Sequence, residues 1–437
     1  IAANTTIGLD WSRVRGATGY RLFFSNAAGV SPTNGQAIDV KEPAFVHRGL
    51  QNGMAYHYVV SAVLSGTVGP ASMEASATPA GEWVLEQLGT GDFDRILDAG
   101  RVARVPIDKR IQVLLLAEGY MAAELATFHS DSTHTSRNND VDRWIDEVLN
   151  KDPYSRFREA FVVWYLPRAS AAHSGGDTAF DVTVSNGAIA DVAAAAAPLW
   201  SALDAQGDDN FAFAAAAQQP VNLVAAFMIF DPQRGRAGLS GVTTSLRNPS
   251  VANQSIRAAF GLGHAHEFTH ALASVGDEYM EASGRLPRMS ETSNLSPTNR
   301  CDQLPWAHLL EGRGINNTAS LIGAFGTAEL GYHPELRCLM NGTHENGQFF
   351  CASGDASYTN LLLRGDNLCN FCRELTAYRI FERSGVLSGS DSFATWKAMY
   401  RTPFYGRFGF VVPPGPLPQT LECNRGQATP VYHACVP

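Results

Sequence analysis

The sequence predicts an all-β sandwich at the N-terminus, then an α/β domain, then a cysteine-containing C-terminal region. Three observations predict this. Apolar residues alternate with period two through the first 80 residues, strand and helix signals alternate after them, and all seven cysteines fall in the final third of the 437 residues. A chain of this length exceeds one ordinary domain, so more than one is expected.

The β module comes first. Ile7, Leu9 and Trp11 alternate along one predicted strand, Tyr20, Leu22 and Phe24 along the next, and Tyr56, Tyr58, Val60 and Ala62 along a third. Asn34-Gly35 and Asn52-Gly53 supply turns. Alternation buries one face of each strand, which calls for two sheets packed together. Trp11, then Gly19-Tyr20-Arg21-Leu22, then Leu50, Gly53 and Tyr56 follow the order of a fibronectin type III domain, which residues 3–79 resemble. The resemblance implies that Tyr56 ties a corner of the sandwich. With no exposed recognition motif, module 1–80 reads as a spacer.

Residues 77–81, Ala-Thr-Pro-Ala-Gly, read as a linker. Beyond it, the apolar runs at 111–117, 161–166 and 221–230 suit buried strands separated by helix-like segments, the pattern of an α/β domain over 84–383. The alanine-rich run 188–197, closed by Pro198, predicts a helix. Residues 384–437, rich in aromatics and prolines, form an extension expected to pack on that domain.

Composition narrows the function classes. The formal net charge is -9, and only Lys41, Lys109, Lys151 and Lys397 of the 33 basic residues are lysine. With no basic run, nucleic acid is excluded as an expected partner. No stretch approaches the roughly 20 apolar residues of a membrane-spanning helix. The chain does not begin with Met, which reads as a processed or truncated form with any export signal removed. Cys301, Cys338, Cys351, Cys369, Cys372, Cys423 and Cys435 suggest disulfides formed in an oxidising compartment, with Cys423–Cys435 the favoured pair. The alternative is a four-thiolate structural zinc site on Cys338, Cys351, Cys369 and Cys372.

The segment that carries chemistry runs from Gly263 to Tyr279. No proline interrupts 254–274, so a helix is predicted there despite Gly261 and Gly263. His266 and His270, four residues apart, then lie on one helix face and can reach one ion. Glu267 lies about 100° round the helix, placed to act as general base on a metal-activated water. A catalytic zinc needs a third protein ligand and one open position. Asp277 is seven residues past His270, about 10 Å along a continued helix and out of reach. Gly276 can adopt the left-handed conformation that ends a helix and folds Asp277 back, with Glu278 as the rival ligand. His264, about 200° round from His266, faces away and reads as solvated or supporting.

His266-Glu267-Phe268-Thr269-His270 with Asp277-Glu278-Tyr279 resembles the signature of the M64 peptidases, a family named for an immunoglobulin A endopeptidase. Leu116-Ala117-Glu118-Gly119-Tyr120, Pro167-Arg168-Ala169-Ser170, Gly331-Tyr332-His333-Pro334 and Cys338-Leu339-Met340 resemble further blocks, over roughly 105–382. The resemblance implies an α/β metzincin-like peptidase domain, Zn2+ on His266, His270 and Asp277, and Glu267 as general acid/base. It also implies Met340 as a floor beneath the metal, and Tyr332, His333 and Tyr279 as candidates to hold the oxyanion. Thr269 stands where the family has glycine, and 230–235 is bulkier than the family's strand end, so immunoglobulin specificity does not transfer. The expected protein is a secreted, cell-surface or periplasmic endopeptidase acting on protein or peptide. Its competitors are a silent adhesin on the same fold and a zinc amidase acting on a non-protein amide.

Overall fold

The computed structural model describes residues 1–88, 105, 107–129, 139–173, 177–180, 184–185, 188–189, 223–230, 236–240, 243–248, 254–276, 278, 292–310, 322–327, 331–335, 338–340, 344–345, 348–349, 368–387 and 393–406. The N-terminal module consists of two antiparallel sheets. One joins Ala2–Ala3, Thr6–Asp10 and Ala44–His47; the other joins Gln36–Val40, Gly19–Ser25, Tyr56–Leu64, Thr67–Ala71 and Ala75–Ala77. Ile7, Leu22, Leu50 and Tyr58 bury the face that alternation assigns inward. The Tyr56 hydroxyl accepts from the Gln51 amide at 3.0 Å, closing the corner.

A mixed six-stranded sheet follows. In spatial order it runs Arg236–Ser240, Thr243–Asn248, Leu223–Phe230, Ile111–Glu118, Phe161–Leu166 and Val84–Leu88. The four inner strands are parallel and both edge strands are antiparallel. Ile111–Glu118 is buried along its whole length, as a strand covered on both faces must be. Gln112 survives there because its side chain is satisfied. It donates to the Ile107 and Arg110 carbonyls and accepts from the Trp164 indole at 2.8 Å.

Edge strand Val84–Leu88 is also what the sandwich sits on. Ala3, Ala44, Leu85, Leu88, Leu114 and Trp164 share one core. The Arg110 guanidinium, 1% exposed, meets Asp10 at 2.8 Å. Gly8 permits the approach, since a Cβ there would lie 2.4 Å from the Leu85 side chain. A pure spacer needs no such buried contact; this module is fastened to the sheet.

One face of the sheet is covered by helix Gln254–Ala273, through Ala265, Phe268, Ala271 and Leu272. Phe268 packs edge-on against Trp144 and Tyr154. Helix Asn370–Arg383 lies beside it, with Arg383 donating to the Ala271 carbonyl. Phe393 and Trp396, on helix Phe393–Gly406, complete the same core. The run at 188–197 departs from its helical reading: Ala188–Ile189 pairs antiparallel with Val184–Ser185, and the rest lies outside the described residues.

At the C-terminal end of Ile111–Glu118 the chain turns at Gly119, whose φ is +73°. Its N–H donates to Ser170 Oγ and its carbonyl accepts from His173, while Ser170 N–H donates to the Tyr120 carbonyl. A Cβ at 119 would lie 2.6 Å from the His173 carbonyl oxygen. Gly119→Ala therefore meets both strain and a backbone clash, and should cost about 1–3 kcal/mol. Chemical denaturation checks this; an unchanged midpoint would contradict the tight turn.

Candidate active site

Helix Gln254–Ala273 ends on Ala273, itself part of the buried core. The left-handed residue that ends it is Ser274, with φ +55°, and its N–H donates to the His270 carbonyl at 2.9 Å. The sequence reading placed that bend at Gly276, whose φ is not positive. Gly276 is needed for space and for its main chain. A Cβ would lie 3.0 Å from Leu295 Cδ1, and the Asn294 side chain clips both its N–H and its carbonyl at 2.7 Å. The bend comes early enough to bring the Val275 carbonyl over His270.

That carbonyl decides the state of the His270 ring. His270 Nδ1 lies 2.7 Å from the Val275 oxygen, and His266 Nδ1 lies 2.9 Å from the Leu339 oxygen. A carbonyl can only accept, so each Nδ1 donates to its carbonyl and each ring turns its Nε2 towards the other. The two Nε2 atoms converge to 2.9 Å, with the rings at 87°. Two imidazole nitrogens turned towards one point can share a cation. Zinc–nitrogen bonds of about 2.0–2.1 Å can span such a gap, and main-chain carbonyls behind Nδ1 are the kind of outer partner that orients histidines in metal sites generally. The donor set fits zinc.

Glu267 is half-buried next to the pair. Thr269 is fully buried, and its hydroxyl donates to the Ala265 carbonyl and hydrogen-bonds the Tyr154 hydroxyl, each at 2.6 Å. Thr269 thus belongs to the helix's packing face. His264 is buried, 2% exposed, with Nδ1 3.4 Å from Glu147. It faces away from the pair but is not solvated, because the segment at 145–149 packs on that side of the helix.

Asp277 and Tyr279 lie outside the described residues. The rival ligand Glu278 is fully buried and engaged elsewhere. Its N–H donates to the Met340 carbonyl at 2.8 Å, and its carboxylate accepts from Asn294 at 3.2 Å and meets Cys372 Sγ at 3.0 Å. Met340 is buried beside this contact, on the turn that also offers the Leu339 carbonyl to His266. His333 is fully buried, with Nδ1 3.5 Å from Glu278. Tyr332 is half-buried, its main chain paired with Ser296.

Three of the cysteines depart from the disulfide reading, and the favoured Cys423–Cys435 pair lies outside the described residues. Cys338, Cys369 and Cys372 are free thiols in one buried cluster with Glu278; Cys351, Cys423, Cys435 and the side chain of Cys301 lie outside what the structure describes. Burial alone would raise the Cys338 thiol. Hydrogen bonds from the Cys369 and Cys372 thiols and the Cys369 and Met340 amides instead hold it well below its ordinary value. Burial, then the Cys338 charge, push the Glu278 carboxyl up to about 7 against the opposing pull of His333 and Cys372.

Residues 102–314 match the family described as IgA Peptidase M64. The matched segment contains the His266–His270 pair and stops short of Tyr332 and Met340. No curated protein matches the chain. Among solved structures, the chicken CNTN1 FN1-FN3 domains are similar at 24% identity and a TM-score of 0.17, over 18% of this chain and 29% of that one. An Fn3-like protein from Clostridium thermocellum is similar at 28% and 0.16, over 18% and 86%. The fn3 domain of human collagen alpha-1(XX) is similar at 24% and 0.16, over 18% and 78%. This chain therefore spans less than a third of the first of these. Among its described residues no helix is long and apolar enough to cross a membrane.

Proposed function

We propose that the protein is a secreted zinc-dependent endopeptidase whose metal is held by His266, His270 and Asp277. The observation that carries this reading is the convergence of the two Nε2 atoms to 2.9 Å, each ring locked from behind by a main-chain carbonyl. When bound, zinc would polarise a water molecule and lower its pKa toward neutrality. Glu267 takes up the proton of the attacking water and passes it to the leaving amine, the role of a positioned general base and acid. Tyr332 and His333 are the groups we assign to hold the developing oxyanion, with Tyr332 favoured because it is half-buried whereas His333 is enclosed beside Glu278. Residues 84–383 form the catalytic unit in this reading, 1–80 a sandwich fixed to it, and 384–437 an extension packed on it.

Digestion of casein or gelatin tests the reading. Cleavage should stop with 1,10-phenanthroline and return when zinc is restored. Cleavage indifferent to the chelator would contradict it. Full metal content without cleavage would favour a silent binding protein, or an amidase if a non-protein amide is hydrolysed instead.

A further inference from the structure

A second group of electron-rich side chains lies behind the histidine pair. Cys338, Cys369, Cys372 and Glu278 each place one ligand atom within 4.8 Å of all the others, and all four residues are buried. Glu278 Oε1 is 3.0 Å from Cys372 Sγ and 3.8 Å from Cys369 Sγ. A tetrahedral zinc with metal–sulfur bonds of about 2.3 Å has sulfur–sulfur edges of about 3.8 Å. Three thiols and a carboxylate lose their hydration together here, and their ionised forms repel one another. A divalent cation at the centre removes both costs.

The surroundings are built towards these ligand atoms. The Cys369 N–H points at Cys338 Sγ at 3.2 Å, and the Cys372 N–H at Cys369 Sγ at 3.4 Å. Cys369 caps helix Asn370–Arg383, and Cys372 lies in its first turn, so the positive end of the helix faces the sulfurs. Asn294 and His333 flank the Glu278 carboxylate and orient it, as outer partners do for metal-binding carboxylates.

We propose that Cys338, Cys369, Cys372 and Glu278 form a second, structural zinc site, independent of the histidine pair. Four protein ligands close it, leaving no position for substrate or water. As the ion binds, the thiol protons leave to solvent. The site joins three segments that are far apart in sequence. Glu278 belongs to the stretch leaving the metal-motif helix, Cys338 precedes the Leu339 carbonyl that holds His266, and Cys369 and Cys372 start the neighbouring helix. The second ion therefore fastens the frame in which the histidine pair is held.

The test uses the full chain in two forms. The His266→Ala/His270→Ala variant, which removes the pair, should keep one equivalent of zinc per chain where the unmutated protein holds two. Its cobalt-substituted form should show an intense near-ultraviolet thiolate-to-cobalt charge-transfer band, which Cys372→Ser removes. Should Cys372→Ser fail to fold, thiol alkylation of the double-histidine variant decides: Cys338, Cys369 and Cys372 should be protected until a chelator is added. Absence of bound metal in the double-histidine variant would overturn the site, as would a cobalt spectrum without the sulfur band. Chelator-independent protection, or a peptide cross-linking Cys338 to Cys369 or Cys372, would also overturn it. None of these readouts depends on proteolysis, so the peptidase reading can fail without affecting them.

Discussion

Glu267→Gln is expected to lower proteolysis by about 10²–10⁴-fold, the contribution of a positioned general acid–base group, with metal content unchanged. The glutamine keeps the side chain's length and hydrogen-bonding capacity but cannot accept the proton. Because Glu267 follows His266 on one helix, its direction is set by the same Ala265, Phe268 and Ala271 packing that sets the histidines. The substitution should therefore leave the Nε2 pair where it is. Comparing kcat/KM for a casein-derived peptide with zinc per chain separates the two effects. Full activity in Glu267→Gln would refute the assigned role, and activity lost together with the metal would mean that Glu267 holds the site rather than acting in it.

The second large effect is expected at Asp277. Asp277→Ala should weaken zinc at the histidine pair by more than the roughly 10–100-fold that loss of an outer partner costs, and activity should fall with it. Two imidazoles alone leave a zinc short of the three protein ligands that catalytic sites use. Glu278 does not stand ready as a replacement, since its carboxylate is held by Asn294 and Cys372 and faces His333 inside the cysteine cluster. Zinc titration of Asp277→Ala and of the unmutated chain against a competing chelator reads the difference, since the cysteine cluster is common to both. Undiminished affinity would move the third ligand to another residue.

Much of the fold was legible because its signals are local. Alternation located the strands at Gly19–Ser25 and Tyr56–Leu64, apolar runs located those at Ile111–Glu118 and Phe161–Leu166, and the proline-free stretch located the metal-motif helix. Four-residue spacing places His266 and His270 on one helix face. What the sequence could not show depends on distant partners. Tyr154 meets Thr269 across 115 residues, and Cys338 meets the Cys369 amide across 31. Spacing alone does not separate a disulfide from a ligand set, and the decisive fourth member, Glu278, lies 60 residues or more from each of the three cysteines in sequence. The helix end shows the limit on a smaller scale. A glycine signals backbone freedom, but the segment used Ser274 for the left-handed turn and kept Gly276 for close contact with Asn294 and Leu295.

The most direct test of the histidine pair is anomalous scattering at the zinc edge from crystals of the full chain. The predicted result is a peak about 2.0–2.1 Å from Nε2 of both His266 and His270, on the side away from the Leu339 and Val275 carbonyls. A map with no peak between those nitrogens, or rings rotated so that either Nε2 points elsewhere, would contradict the metal assignment and the chemistry derived from it.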